Sequence, residues 1–212
     1  MKDIFDELAA THRELGRGDL PAGEAYTVVL RRSYPAEIED VWDALTRPER
    51  LSRWFLPVTG DLRPGGRYQL TGNAGGEILD CEPPRRLRVS WLFGPDAKDG
   101  ASEVEVRLTQ DPAGDTGFEL VHSAVVDETF FPTYGPGATG VGWDLALLGL
   151  AMHLAGQEIG DPAAFESSPE ARELSRRSAT AWGEAHLAAG GDPDQVAAAV
   201  KATTAFYVPD PS

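Results

Sequence analysis

Phe118-Glu119-Leu120-Val121-His122 decides the fold, read together with the two stretches that precede it. Phe118, Leu120 and His122 share one face, opposite Glu119 and Val121. Val104, Val106 and Leu108 oppose Glu103, Glu105 and Arg107, and Leu87, Val89, Trp91 and Phe93 oppose Arg86, Arg88 and Ser90. Alternation with period two in successive segments predicts an antiparallel sheet with one wet and one covered face. The cover follows directly. Residues 138–159 carry Val141, Leu145, Leu148, Met152 and Ile159 on one stripe, widened by Trp143, Leu147, Leu150 and Leu154. So broad an apolar surface belongs against a sheet.

Working outward, Arg67-Tyr68-Gln69-Leu70 and Glu77-Ile78-Leu79-Asp80-Cys81 read as short strands. They are set off by Pro64-Gly65-Gly66, Asn73-Ala74-Gly75-Gly76 and Pro83-Pro84. Ala25 to Arg31 is a first strand, rich in β-branched residues. Pro35 opens a helix whose apolar face is Ile38, Val41, Trp42 and Leu45. Thr46-Arg47-Pro48-Glu49 reads as a capping box for a second helix, with Leu51, Trp54 and Phe55 on its apolar side. Residues 3–15 read as an amphipathic helix, from Ile4, Phe5, Leu8 and Leu15, followed by a Gly/Pro loop to Gly23. After residue 160 the chain is Ala-rich and predicts helices over 168–189 and 193–206, parted by Gly190-Gly191. The domain reading is an N-terminal helical extension (1–23), a core (24–159) and a C-terminal helical extension (160–212). The class is α+β, with a curved antiparallel sheet gripping a long helix.

Five segments in order resemble one family: residues 41–55 (VWDALTRPERLSRWF), Arg63 to Tyr68, Gly76 to Leu87, Leu120-Val121-His122-Ser123, and Gly142 to Leu148. Together they resemble the activator of Hsp90 ATPase homologue 1-like (AHSA1-like) branch of the START-like/SRPBCC superfamily, over roughly residues 25–157. The resemblance implies a helix-grip (START-like, Bet v 1-like) fold with an internal cavity. It implies no particular reaction, since function lives in the site. In 212 residues there is no room for the separate N-terminal chaperone-binding domain of the eukaryotic Hsp90 activators.

A cavity in such a fold takes an apolar guest. The residues expected to line it are Tyr68, Leu70, Trp91, Phe93, Val104, Val106, Phe118, Leu120 and His122 from strands, with Leu145, Leu148 and Met152 from the long helix. Trp54 and Phe55 either form its mouth or staple their helix to the sheet. His122 either orients a polar group of the guest or is satisfied structurally. Asp144 reads as a cap-region or solvent charge, with an arginine partner as the alternative.

Net charge is −15, from 19 Lys and Arg against 34 Asp and Glu, which disfavours nucleic acid and anionic membranes. A single cysteine, Cys81, excludes an internal disulfide and a thiolate metal cluster. The histidines lack metal-ligand spacing, so no metal or cofactor is expected. The first residues lack a signal-peptide core, and Asp144, His153, Gln157 and Glu158 interrupt the most apolar window. Membrane insertion is therefore not expected, and the cytoplasm is the default compartment. The reading is non-catalytic binding of a hydrophobic or amphipathic small molecule. A protein-interaction or co-chaperone-like module is the alternative, and a polyketide-cyclase-like enzyme using Tyr68, Asp80 and His122 a further one. The tail either covers the cavity mouth or pairs with a second subunit, with a homodimer preferred.

Overall fold

The computed structural model describes residues 3–94, 97–126, 129–157, 165 and 168–209. Eight strands form one antiparallel sheet: β1 (His12–Leu20), β2 (Gly23–Tyr34), β3 (Val58–Gly60), β4 (Arg67–Leu70), β5 (Gly75–Glu82), β6 (Arg86–Ser90), β7 (Ser102–Gln110) and β8 (Thr116–Val125). Their order across the sheet is β1-β2-β8-β7-β6-β5-β4-β3. Short helix α1 (Ile4–Ala9) precedes it. Between β2 and β3 come α2 (Ile38–Thr46) and α3 (Pro48–Trp54). After β8 follow α4 (Phe130–Tyr134), the long α5 (Gly137–Leu154), α6 (Pro169–Ala188) and α7 (Pro193–Tyr207). This is the helix-grip fold.

The alternation read in β7 and β8 is the pleat of the sheet. Val104 pairs with His122, Val106 with Leu120 and Leu108 with Phe118, all on the covered face. Arg107, Glu105 and Glu119 share the wet face, where Arg107 bonds both carboxylates and Arg31 of β2 also reaches Glu119. Such exposed pairs fix strand neighbours more than they stabilise the fold.

The N-terminus departs from expectation. The helix stops at Ala9, and His12–Leu20 is an edge strand paired residue for residue with β2 around the two-residue turn Pro21-Ala22. Residues 12–23 therefore belong to the sheet and are not helix and loop. The predicted capping box is also absent. The Thr46 hydroxyl donates back to the Trp42 carbonyl at 2.8 Å, and Arg47 occupies the cap position without a side-chain bond. Proline at the start of α3 stands as read. The tail helices lie where composition placed them.

The long helix starts and ends earlier than its predicted span, and Ile159 lies outside the described residues. Its two stripes part company. Leu147 and Leu150 join Val141 in the main core against the sheet. Leu148 and Met152 face the other way, into a second cluster with Leu8 of α1 and Leu174 of α6. The single stripe read from the sequence is therefore divided, because a helix covered on both sides is apolar all round. Two glycines permit these approaches. A Cβ at Gly149 would fall 2.6 Å from the Trp54 carbonyl oxygen, and one at Gly140 would fall 2.2 Å from the Trp182 ring. Among the described residues, no helix is long and apolar enough to cross a membrane.

Candidate functional site

Two hollows adjoin under the sheet. The inner one, about 180 Å³, lies between the covered face of β4–β8 and helices α2, α3 and α5. Its walls include Leu51, Tyr68, Leu70, Val104, Val106, Phe118 and Leu120. The outer one is an open cleft of about 610 Å³, bounded by the ends of β6–β8, the start of α5 and Tyr207 of α7. Phe55, Trp91 and Trp143 line both. These three rings form the partition, with centroids 5.0 Å apart for Trp91–Trp143, 6.3 Å for Phe55–Trp143 and 6.5 Å for Phe55–Trp91.

The inner hollow offers a guest almost no polar group. Tyr68 spends its hydroxyl on the Ser90 carbonyl at 2.8 Å, and Trp54 its indole N–H on the Ala44 carbonyl at 2.9 Å. Burial pushes the Tyr68 phenol and the Cys81 thiol upward in pKa, so both stay neutral. Walls of this kind favour an apolar guest and reject a charged one.

His122 stands at the partition. Trp143 Nε1–H donates to its Nδ1 at 3.0 Å, and Ser102 Oγ lies 2.9 Å from its Nε2. Indole can only donate, so Nδ1 accepts and the imidazole proton sits on Nε2. Burial pushes the pKa of His122 down to about 4, which keeps the ring neutral at pH 7. This tautomer forbids Ser–His nucleophilic chemistry, because a base for Ser102 needs a free Nε2 lone pair. The ring is satisfied structurally while still bordering the outer cleft.

The structure brings nine of the expected lining residues to the inner hollow: Trp54, Phe55, Tyr68, Leu70, Trp91, Val104, Val106, Phe118 and Leu120. Trp54 and Phe55 thus both staple α3 and line the space. His122 and Phe93 border the outer cleft instead, with Phe93 66% exposed at its rim beyond the end of β6. Leu145, Leu148 and Met152 line neither hollow. From α5, Trp143, Ala146 and Leu147 face the inner space. The cyclase-like trio does not assemble. Tyr68 is in the inner hollow, His122 is held at the partition, and Asp80 pairs with Arg86 outside both.

Sequence reasoning missed Ser102, because only the β7–β8 register places it beside His122. It also misjudged the setting of Asp144, which is buried and takes the arginine alternative. Arg13 of β1 donates from Nε and Nη2 at 2.9 Å each, Ser178 at 2.5 Å and Trp182 Nε1 at 3.0 Å. One carboxylate on α5 thereby ties down both chain ends. Leu174, Trp182 and Val196 of the tail are buried within the same chain, while Leu187 and Phe206 remain exposed. Among the described residues, no group of three or more His, Cys, Asp or Glu side chains is placed to hold a metal ion.

A family model described as "Activator of Hsp90 ATPase homolog 1-like protein" matches residues 35–155. The crystal structure of CalU16 from Micromonospora echinospora is 39% identical and covers 83% of this chain and 98% of its own, with a TM-score of 0.67. The solution structure of the same protein gives 41% identity, 86% and 97% coverage, and a TM-score of 0.69. Protein MLL2253 from Mesorhizobium loti shares the fold at 24% identity, covering 63% of this chain and 99% of its own with a TM-score of 0.53. No curated protein matches.

Proposed function

The chain belongs to the activator of Hsp90 ATPase homologue 1-like family, and from that premise we propose that it binds an apolar or amphipathic small molecule without transforming it. The observation that carries this reading is the pair of hollows sharing one aromatic wall, Phe55, Trp91 and Trp143. The inner space accepts an apolar portion. The outer cleft, which Asn73, Lys98 and Ser102 help to line, leaves room for a larger and more polar remainder. Planar aromatic compounds suit the ring partition best, since stacked and edge-on rings gain contact beyond plain area burial. The reading places the protein in the reducing cytoplasm, where Cys81 remains a thiol.

Cys81 supplies the test, because it lines the inner hollow. A thiol reagent should label it slowly, and saturating 2-(dimethylamino)naphthalene should slow the labelling several-fold further. A labelling rate that ignores the naphthalene at every concentration would remove the inner hollow as the binding place.

A further inference from the structure

The bonding around His122 fixes where one hydrogen must go. Trp143 donates to Nδ1, so Nε2 carries the ring proton and donates to Ser102 Oγ at 2.9 Å. The serine oxygen is thus an acceptor, and its own hydrogen is left to point elsewhere. The Ser102 side chain makes no other hydrogen bond among the described residues. Ser102 opens β7 and lines the outer cleft beside His122, Trp91 and Trp143.

We infer that Ser102 is the polar anchor of the bound molecule, its hydroxyl donating to an uncharged acceptor such as a ketone or quinone carbonyl on an aromatic ligand. This deepens the binding reading above and rests on it. The Trp143–His122–Ser102 chain acts as a positioning device. It holds the serine oxygen in place in advance, so less ordering is left for the ligand to impose. A neutral acceptor fits better than an anion. Among the described lining residues Lys98 alone could offset an anion, His122 is neutral, and the whole chain carries −15. The ligand class is therefore a planar aromatic ketone, its ring against the Trp91–Trp143 wall and its carbonyl at Ser102.

Two probes separate this inference from the reading beneath it. 6-Propionyl-2-(dimethylamino)naphthalene carries the ketone, and 2-(dimethylamino)naphthalene lacks it. Fluorescence titration of the full chain should show both binding. Ser102→Ala should weaken the ketone about 3–10-fold, the span of one net hydrogen bond, and leave the parent naphthalene unchanged. Emission of the bound ketone should shift to the blue as its carbonyl loses a donor, and Ser102→Thr should restore both affinity and emission. If Ser102→Ala weakens both probes equally, or neither, the anchor assignment is wrong while the hollow remains a binding site. If wild type binds neither probe, both the assignment and the binding reading fall.

Discussion

Replacing Asp144 with alanine should cost this protein about 4 kcal/mol of stability. Its carboxylate side chain is 1% exposed and the Arg13 side chain 8%. The carboxylate accepts four hydrogen bonds, two from Arg13 and one each from Ser178 and Trp182. Breaking a buried pair by removing one partner costs about 3–5 kcal/mol, because the other charge stays buried. Arg13 keeps two carbonyl partners, Thr11 at 2.8 Å and Leu8 at 2.9 Å, which holds this part of the loss near the low end, about 3 kcal/mol. The Trp182 N–H, fully buried, loses its acceptor for about 1 kcal/mol more. A loss of about 4 kcal/mol lowers Tm by roughly 8–16 °C in a chain of this size. Thermal and urea unfolding, followed by near-ultraviolet circular dichroism, read this directly. The double variant Arg13→Met with Asp144→Leu should recover most of the loss, since an apolar pair leaves no orphaned charge. A Tm drop under about 2 °C for Asp144→Ala, or a double variant no more stable than the single one, would show that no buried charge is orphaned by the loss of Asp144.

Two further outcomes follow from the partition and from α5. His122 titrates near 6.5 when unfolded and about 4 when folded. Between those values the unfolded chain binds the proton, so the stabilisation from keeping the ring neutral is complete above pH 6.5 and is lost as pH falls toward 4, about 3 kcal/mol in all. His153 and His186 are also lowered by burial. The His122 share is therefore the difference between wild type and His122→Phe in urea unfolding at pH 7 and pH 4.5; parallel curves would contradict it. Gly149→Ala places a methyl 2.6 Å from the Trp54 carbonyl. It should cost about 1–3 kcal/mol and weaken naphthalene binding by moving the Trp54–Phe55 corner. A stable variant with unchanged affinity would show that this contact yields freely.

Much of the architecture was legible because strands β6, β7 and β8 alternate cleanly, and alternation reports one covered face without any need for neighbours. Strand β1 was not. Its Gly16, Gly18 and mixed charges lack a strand composition, while Ile4, Phe5, Leu8 and Leu15 happen to match helical spacing. It is a strand because β2, paired with β8 on one side, offers its other edge along its length. Sheet-borne lining residues were found for the same reason that the sheet was. The lining face of α5 was not, since Leu145, Leu148 and Met152 are as apolar as Trp143, Ala146 and Leu147, and only α1 and α6 decide which side turns outward. Ser102, Arg13 and the true setting of Asp144 depend on register and long-range packing, which no local pattern encodes.

Binding requires the inner space to be an open volume and not a packed core. Ala146 faces that space, so Ala146→Leu fills it from within. If the volume is real, the added side chain occupies it without strain, Tm holds or rises, and affinity for 2-(dimethylamino)naphthalene falls at least about tenfold, the equivalent of roughly 1.4 kcal/mol. A lower Tm, the sign of overpacking, with naphthalene affinity unchanged would mean that the space is packed core and binds nothing.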